Sequence, residues 1–175
     1  MLIFLVGYMG CGKSTIGRKL SSRLGWRLID TDHFVEQRAG LTIAQMFEKF
    51  GEEHFRELER EALEALIECG EDCIVSTGGG LPVWRDNMEV MSGAGVTVYL
   101  CRTAENIASR LSAVGRAKRP KLRGLSDDEL IEYMNENIAL RDPIYRRSTL
   151  VIDAVPLGDG RILDRIIKFV NGQEE

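Results

Sequence analysis

The chain has 175 residues, enough for one domain with a sizeable core, and its 44% hydrophobic and 29% charged residues are those of an ordinary soluble globular protein. A formal net charge of −4 argues against a general nucleic-acid binder. The four cysteines (Cys11, Cys69, Cys73 and Cys101) form no C-x-x-C pair and only two histidines accompany them, which argues against a zinc site or a disulfide scaffold.

In chain order, Leu2–Val6 reads as a strand buried on both faces; it is too short for a secretion signal or a membrane span, so a cytoplasmic location is expected. A glycine-rich turn comes next, then a helix with Ile16, Leu20 and Leu24 spaced by four and Gly25 as its stop. Residues 28–29 suggest a second strand, ending in Asp30-Thr31-Asp32, where Thr31 or Asp32 could cap the next helix. Thr42 and Gln45 form a capping-box pattern, and a longer helix is expected from about 52 to 69, with Phe55, Leu58, Ala62 and Leu66 on one face. A strand over 73–77 runs into Gly78-Gly79-Gly80. Val96–Cys101 is another strand, followed by a helix over 103–111. Ser126 and Glu129 open a further helix, which Asp142-Pro143 is expected to end. The last strand is 150–152, and Ile162, Leu163, Ile166, Ile167 and Val170 mark a closing helix.

Strands alternating with helices give an α/β fold: a parallel sheet with helices on both faces, in a single domain over residues 1–175. Ligands of such sheets bind beyond the carboxyl ends of the strands. Three features fall there: the loop from Gly7, the Asp30/Asp32 pair and the triple glycine.

Residues 7–14 read G-Y-M-G-C-G-K-S and fit the phosphate-loop pattern G-x-x-x-x-G-K-[ST]. Glycines let successive N–H groups face phosphate oxygens, and the helix after them adds its unpaired N–H groups and positive dipole end. Lys13 would reach the β- and γ-phosphates of ATP, and the Ser14 hydroxyl would ligate Mg²⁺. Gly10, Cys11, Gly12 and Thr15 complete the expected nucleotide contacts. Cys11, at a helix N-terminus, is a candidate reactive thiol unless the loop buries it. Asp30 and Asp32 point the same way along an extended chain. One could sit near Mg²⁺ and the other near a substrate hydroxyl, a role compatible with capping. The triple glycine fits close approach of a ligand or a plain loop. Arg116, Lys118, Arg119, Lys121 and Arg123 form a basic run that fits a solvated loop or a lid closing on phosphates. Arg56 and Arg146 fit carboxylate recognition, or surface salt bridges; Glu59, one turn after Arg56, could orient it.

Taken together, the G-Y-M-G-C-G-K-S-T loop, L-I-D-T-D at 28–32, G-E-E-H-F-R-E-L-E at 51–59, S-T-G-G-G at 76–80, K-R-P at 118–120 and R-D-P-I-Y-R at 141–146 resemble shikimate kinases over nearly the whole chain. The resemblance implies a five-stranded parallel sheet of the nucleoside-monophosphate-kinase type. It implies ATP-dependent phosphorylation of the shikimate 3-hydroxyl in aromatic amino-acid biosynthesis. Carried onto this sequence, Lys13 and Ser14 keep the roles given above, with Asp30 assisting the metal through water. Asp32 would bind the reacting hydroxyl and act as its base. Arg56 and Arg146 would hold the shikimate carboxylate, and Gly78, Gly79 and Gly80 would line that site. Arg110 would stack on adenine. Arg119 would be the lid arginine, with Arg116 as competitor. The substrate-binding segment would span about 31–60 and the lid about 112–124.

ATP and shikimate are the expected partners, with no nucleic acid and no membrane, and the chain is expected to be a monomer. A kinase for gluconate or a nucleoside monophosphate is a rival reading. So is a nucleotide-binding protein without catalysis, though Lys13, Asp32 and the arginines are all present.

Overall fold

The central strands are apolar runs with too few polar side chains to face water, so they are covered on both sides, while the edge strands are only partly buried. In the computed structural model, which describes residues 1–111, 122 and 124–173, the strands are β1 (Leu2–Val6), β2 (Arg27–Asp30), β3 (Cys73–Ser76), β4 (Val96–Cys101) and β5 (Leu150–Asp153). They form one sheet in the order β2-β3-β1-β4-β5, and every pairing is parallel. Every residue of β1 and β3 is buried. The register sets Leu5, Ser76 and Asp30 in one row across β1, β3 and β2. The glycine turn after β3 therefore lies between the loop after β1 and the aspartates after β2.

The helices are α1 (Lys13–Leu24), α2 (Thr31–Ala39), α3 (Ile43–Glu68), α4 (Asn87–Ala94), α5 (Ala104–Arg110), α6 (Asp127–Tyr145) and α7 (Asp159–Val170). The main core joins the strands to Ile16 and Leu20 of α1, Leu63 of α3 and Ile162 and Ile166 of α7. A smaller core of Val35, Met46, Phe55 and Ala62 packs α2 against α3. Among the described residues no helix is long and apolar enough to cross a membrane.

Both capping boxes form, at Thr42/Gln45 and at Ser126/Glu129. Two local expectations are corrected. The cap of α2 is Asp30, whose Oδ1 accepts from the N–H groups of Asp32 (3.1 Å) and His33 (3.4 Å), and not Thr31 or Asp32. Helix α3 is broken at Gly51, whose φ of 82° and ψ of 174° suit glycine alone, so a short segment opened by the Thr42 cap is followed by the longer helix expected from about 52. Helix α6 does not stop at Asp142-Pro143 but runs on to Tyr145. Its last turn is anchored by tertiary contacts: Tyr145 is fully buried, packs its ring 5.2 Å from that of Tyr99, and donates to the Gly79 carbonyl at 2.6 Å. These contacts override the local preference of the residue before a proline. Helix α4 and the short 3₁₀ turn Leu81–Val83 were not anticipated from the sequence.

Candidate active site

A cleft of about 570 Å³ opens at the carboxyl ends of β1, β2 and β3. Its floor is the phosphate loop. Gly12, the N-cap of α1, has φ 108°, a conformation that L side chains avoid, and this turns the first N–H groups of the helix toward the cleft. Lys13 is 8% exposed, and its ammonium donates to the carbonyls of Gly7 (2.6 Å) and Tyr8 (3.0 Å). The Ser14 hydroxyl lies 3.4 Å from Oδ2 of Asp30 and 3.3 Å from the Ser76 hydroxyl. Asp30 thus caps α2 with one oxygen and faces Ser14 with the other. This set of oxygen donors beside a phosphate loop suits Mg²⁺, a hard cation held by few protein ligands. Among the described residues no group of three or more His, Cys, Asp or Glu could hold a metal alone.

Asp32 points into the cleft. Burial and then the charge of Asp30 push its carboxyl above the usual aspartate range, while Lys13 and Arg56 pull the other way. Glu59 is 1% exposed; burial drives it up to about 7, against the opposing pull of Arg56. The Arg56 guanidinium bonds Glu59 at 2.5 Å and Glu52 at 3.1 Å, so it is oriented from its own helix, as the spacing predicts. The glycine turn closes this side. A Cβ on Gly78 would collide with the Asp32 carboxylate, and one on Gly80 with the Arg56 guanidinium. Phe47 and Phe55, with centroids 4.8 Å apart, and Ile43 provide an apolar wall.

Most sequence-predicted residues therefore meet in one place: Gly10, Gly12, Lys13, Ser14, Thr15, Asp30, Asp32, Arg56, Gly78, Gly79, Gly80 and Arg110 all line the cleft. Two do not. Cys11 is 1% exposed, with its sulfur tucked against Gly7, so the loop buries the thiol and it does not face the cleft. Arg146 is turned away, with Nε on Asp142 Oδ2 at 2.5 Å and Nη2 3.8 Å from the Cys101 sulfur. The guanidinium that joins Arg56 at the glycine turn is instead Arg141, 5.5 Å from the Tyr8 ring and beside Gly79. The reason is helical phase. Because α6 passes through Pro143, Arg146 lies five residues beyond Arg141 and is rotated by about 140° around the axis. Arg141 shares its face with Tyr145, four residues on. That i, i+4 spacing is the signal the sequence carries for Arg141. Arg116, Lys118, Arg119, Lys121, Arg123 and most of the expected lid lie outside the described residues.

A more open groove of about 630 Å³ lies between α1 and α7. Its Lys19 and Arg23 are tied to Asp159 and Asp164, so its charge is largely neutralised.

The family model described as "Shikimate kinase" matches residues 9–171. A shikimate kinase of Parabacteroides distasonis is 43% identical over 152 residues, 87% of each chain. One of Phocaeicola vulgatus is 42% identical over 159 residues, 91% of this chain and 90% of the relative. Among solved structures, the shikimate kinase of Bacteroides thetaiotaomicron superposes with a TM-score of 0.87 at 34% identity, covering 98% of each chain. That of Acinetobacter baumannii, in complex with shikimate, gives 0.83 at 31%, covering 98% of this chain and 93% of the other.

Proposed function

Because the chain belongs to the shikimate kinase family, we propose that its cleft binds ATP and shikimate side by side and transfers the γ-phosphoryl group to the shikimate 3-hydroxyl. The five-stranded parallel sheet is that of kinases of this type. The observation that carries the acceptor side is the pairing of a half-buried carboxylate, Asp32, with two guanidiniums, Arg56 and Arg141, around the Gly78–Gly80 turn. A carboxylic acid bearing ring hydroxyls meets that set: the guanidiniums take its carboxylate and Asp32 takes a hydroxyl. The apolar wall of Phe47 and Phe55 suits a carbon ring.

On the donor side, the N–H groups of the loop and Lys13 would hold the β- and γ-phosphates, and Arg110 would lie against the base. Ser14 and Asp30 would hold Mg²⁺, which neutralises charge on the phosphates when bound. Lys13 acts where negative charge builds during transfer. Asp32 orients the hydroxyl and takes up its proton as the oxygen attacks phosphorus. In this reading Arg141 replaces Arg146 as the second carboxylate ligand, Arg119 remains the proposed lid arginine, residues 31–60 form the acceptor-binding segment, and the enzyme works as a cytoplasmic monomer.

An ADP-release assay run in parallel with shikimate, gluconate and AMP tests the assignment. Turnover with shikimate alone is expected; turnover with AMP or gluconate and none with shikimate would overturn it. The two arginines separate cleanly. Arg141→Ala should raise KM for shikimate by roughly 30-fold or more, the loss of a charge-assisted pair worth about 2–5 kcal/mol, with little change in ATP affinity. Arg146→Ala should leave both near wild type, and the reverse pattern would restore Arg146 to the site. The acid limb of kcat/KM for shikimate against pH should stand above the ordinary aspartate value of ~3.9, because the free site holds the Asp32 proton more tightly and the base form is lost as pH falls through that raised value. Asp32→Asn should lower kcat by about 10²-fold or more and abolish that limb; a variant that keeps both rate and limb would remove Asp32 as the base.

A further inference from the structure

Arg102 stands at the turn between β4 and α5, just before the α5 cap Thr103. It is 5% exposed, unusual for arginine. Its Nε donates to the Cys11 carbonyl at 2.8 Å, and its Nη1 donates to Oδ1 of Asn106 at 2.9 Å. Both acceptors are neutral, and among the described residues no carboxylate makes an ion pair with it. Asp159 and Asp153 act on it only from a distance, and Asp159 is already bonded to Lys19 at 2.6 Å. A second guanidinium lies near the loop: a Cβ on Gly12 would lie 3.9 Å from Nη2 of Arg110. Burial, and then the charge of Arg110, hold Arg102 below the usual guanidinium range. The Cys11–Gly12 peptide therefore has two guanidiniums near it, and no carboxylate is hydrogen-bonded to Arg102 among the described residues.

The geometry of that peptide gives the buried cation a task. A trans peptide carries its carbonyl and the next N–H on opposite sides. Holding the Cys11 carbonyl from beneath turns the Gly12 N–H outward, to the face where the loop meets phosphate. A buried charge without an ionic partner is also costly and favours whatever anion comes near. We infer that Arg102 is a positioning residue for the nucleotide, which aims the Gly12 N–H at the phosphates and leaves a positive charge beneath the loop that the bound polyphosphate completes. This rests on the reading of the cleft as an ATP site, and it concerns donor affinity alone. Arg102 does not line the cleft and has no part in holding the acceptor.

The test is calorimetric titration of the full chain with MgADP and, separately, with shikimate, together with the melting temperature of the unliganded protein. Arg102→Met removes the charge and both donors while keeping an unbranched stem of similar reach. It should weaken MgADP binding about tenfold or more, the range for a lost charge-assisted hydrogen bond, and leave shikimate binding unchanged. The melting temperature of the free protein should stay level or rise, since an unpaired buried charge has gone. Arg102→Lys should bind MgADP with intermediate strength. If Arg102→Met does not fold, Arg102→Gln, which also lacks the charge, should show the same loss for MgADP alone. A lower melting temperature with unchanged MgADP affinity would make Arg102 a purely structural residue and overturn the inference. Wild-type protein that binds no MgADP would overturn the ATP reading itself, and this inference with it.

Discussion

The site depends on empty space at Gly78 and Gly80. Strand β3 lies between the strand that carries the phosphate loop and the strand that carries the aspartates, so the turn at its carboxyl end fills the middle of the cleft. That turn, Gly78-Gly79-Gly80, has no side chains. The Asp32 carboxylate occupies the room left at Gly78, and the Arg56 guanidinium occupies the room left at Gly80. The backbone of the turn is held from two sides: the Gly78 N–H donates to Thr31 Oγ1 at 2.8 Å and the Gly79 carbonyl accepts from Tyr145 at 2.6 Å. A turn that would be loose on its own is thus fixed by α2 and α6. This converts the entropic cost of three glycines into a defined surface.

Charge is distributed to match. The chain as a whole is acidic, yet Lys13, Arg56, Arg110 and Arg141 all converge on one cleft. In that partly buried setting their attraction for anionic groups is stronger than on an open surface. Asp30, Asp32 and Glu59 keep them from repelling one another, and each acid has a separate task. Asp30 joins the start of α2 to Ser14, Asp32 faces the cleft, and Glu59 fixes the Arg56 fork. The raised carboxyls of Asp32 and Glu59 result from placing acids close together and out of water.

Much of this was legible in the sequence because it is local. The phosphate loop, the two capping boxes and the apolar strands are specified by residues within one or two turns of each other, and they form where expected. The features that were not legible depend on tertiary contact. Pro143 reads as a helix end until Tyr145 is seen anchored on Gly79, and with the helix continued it is Arg141, not the Arg146 that the resemblance implied, that lines the cleft. Thr31 reads as a cap, but its hydroxyl is spent on the glycine turn, so Asp30 caps instead. Cys11 reads as an accessible thiol, but the tight curl of the loop packs its sulfur against Gly7. Arg102 gave no signal, because its importance arises only when β4 and the phosphate loop are brought side by side.

The central claim is that the glycine turn makes room for a guanidinium that grips the acceptor. Calorimetric titration of Gly80→Ala with shikimate tests it most directly, since the added methyl must displace the Arg56 head group while leaving the phosphate loop untouched. Shikimate affinity is predicted to fall about tenfold or more, by loss of a charge-assisted pair, with MgADP affinity unchanged. A folded Gly80→Ala protein that binds shikimate as tightly as wild type would contradict the account.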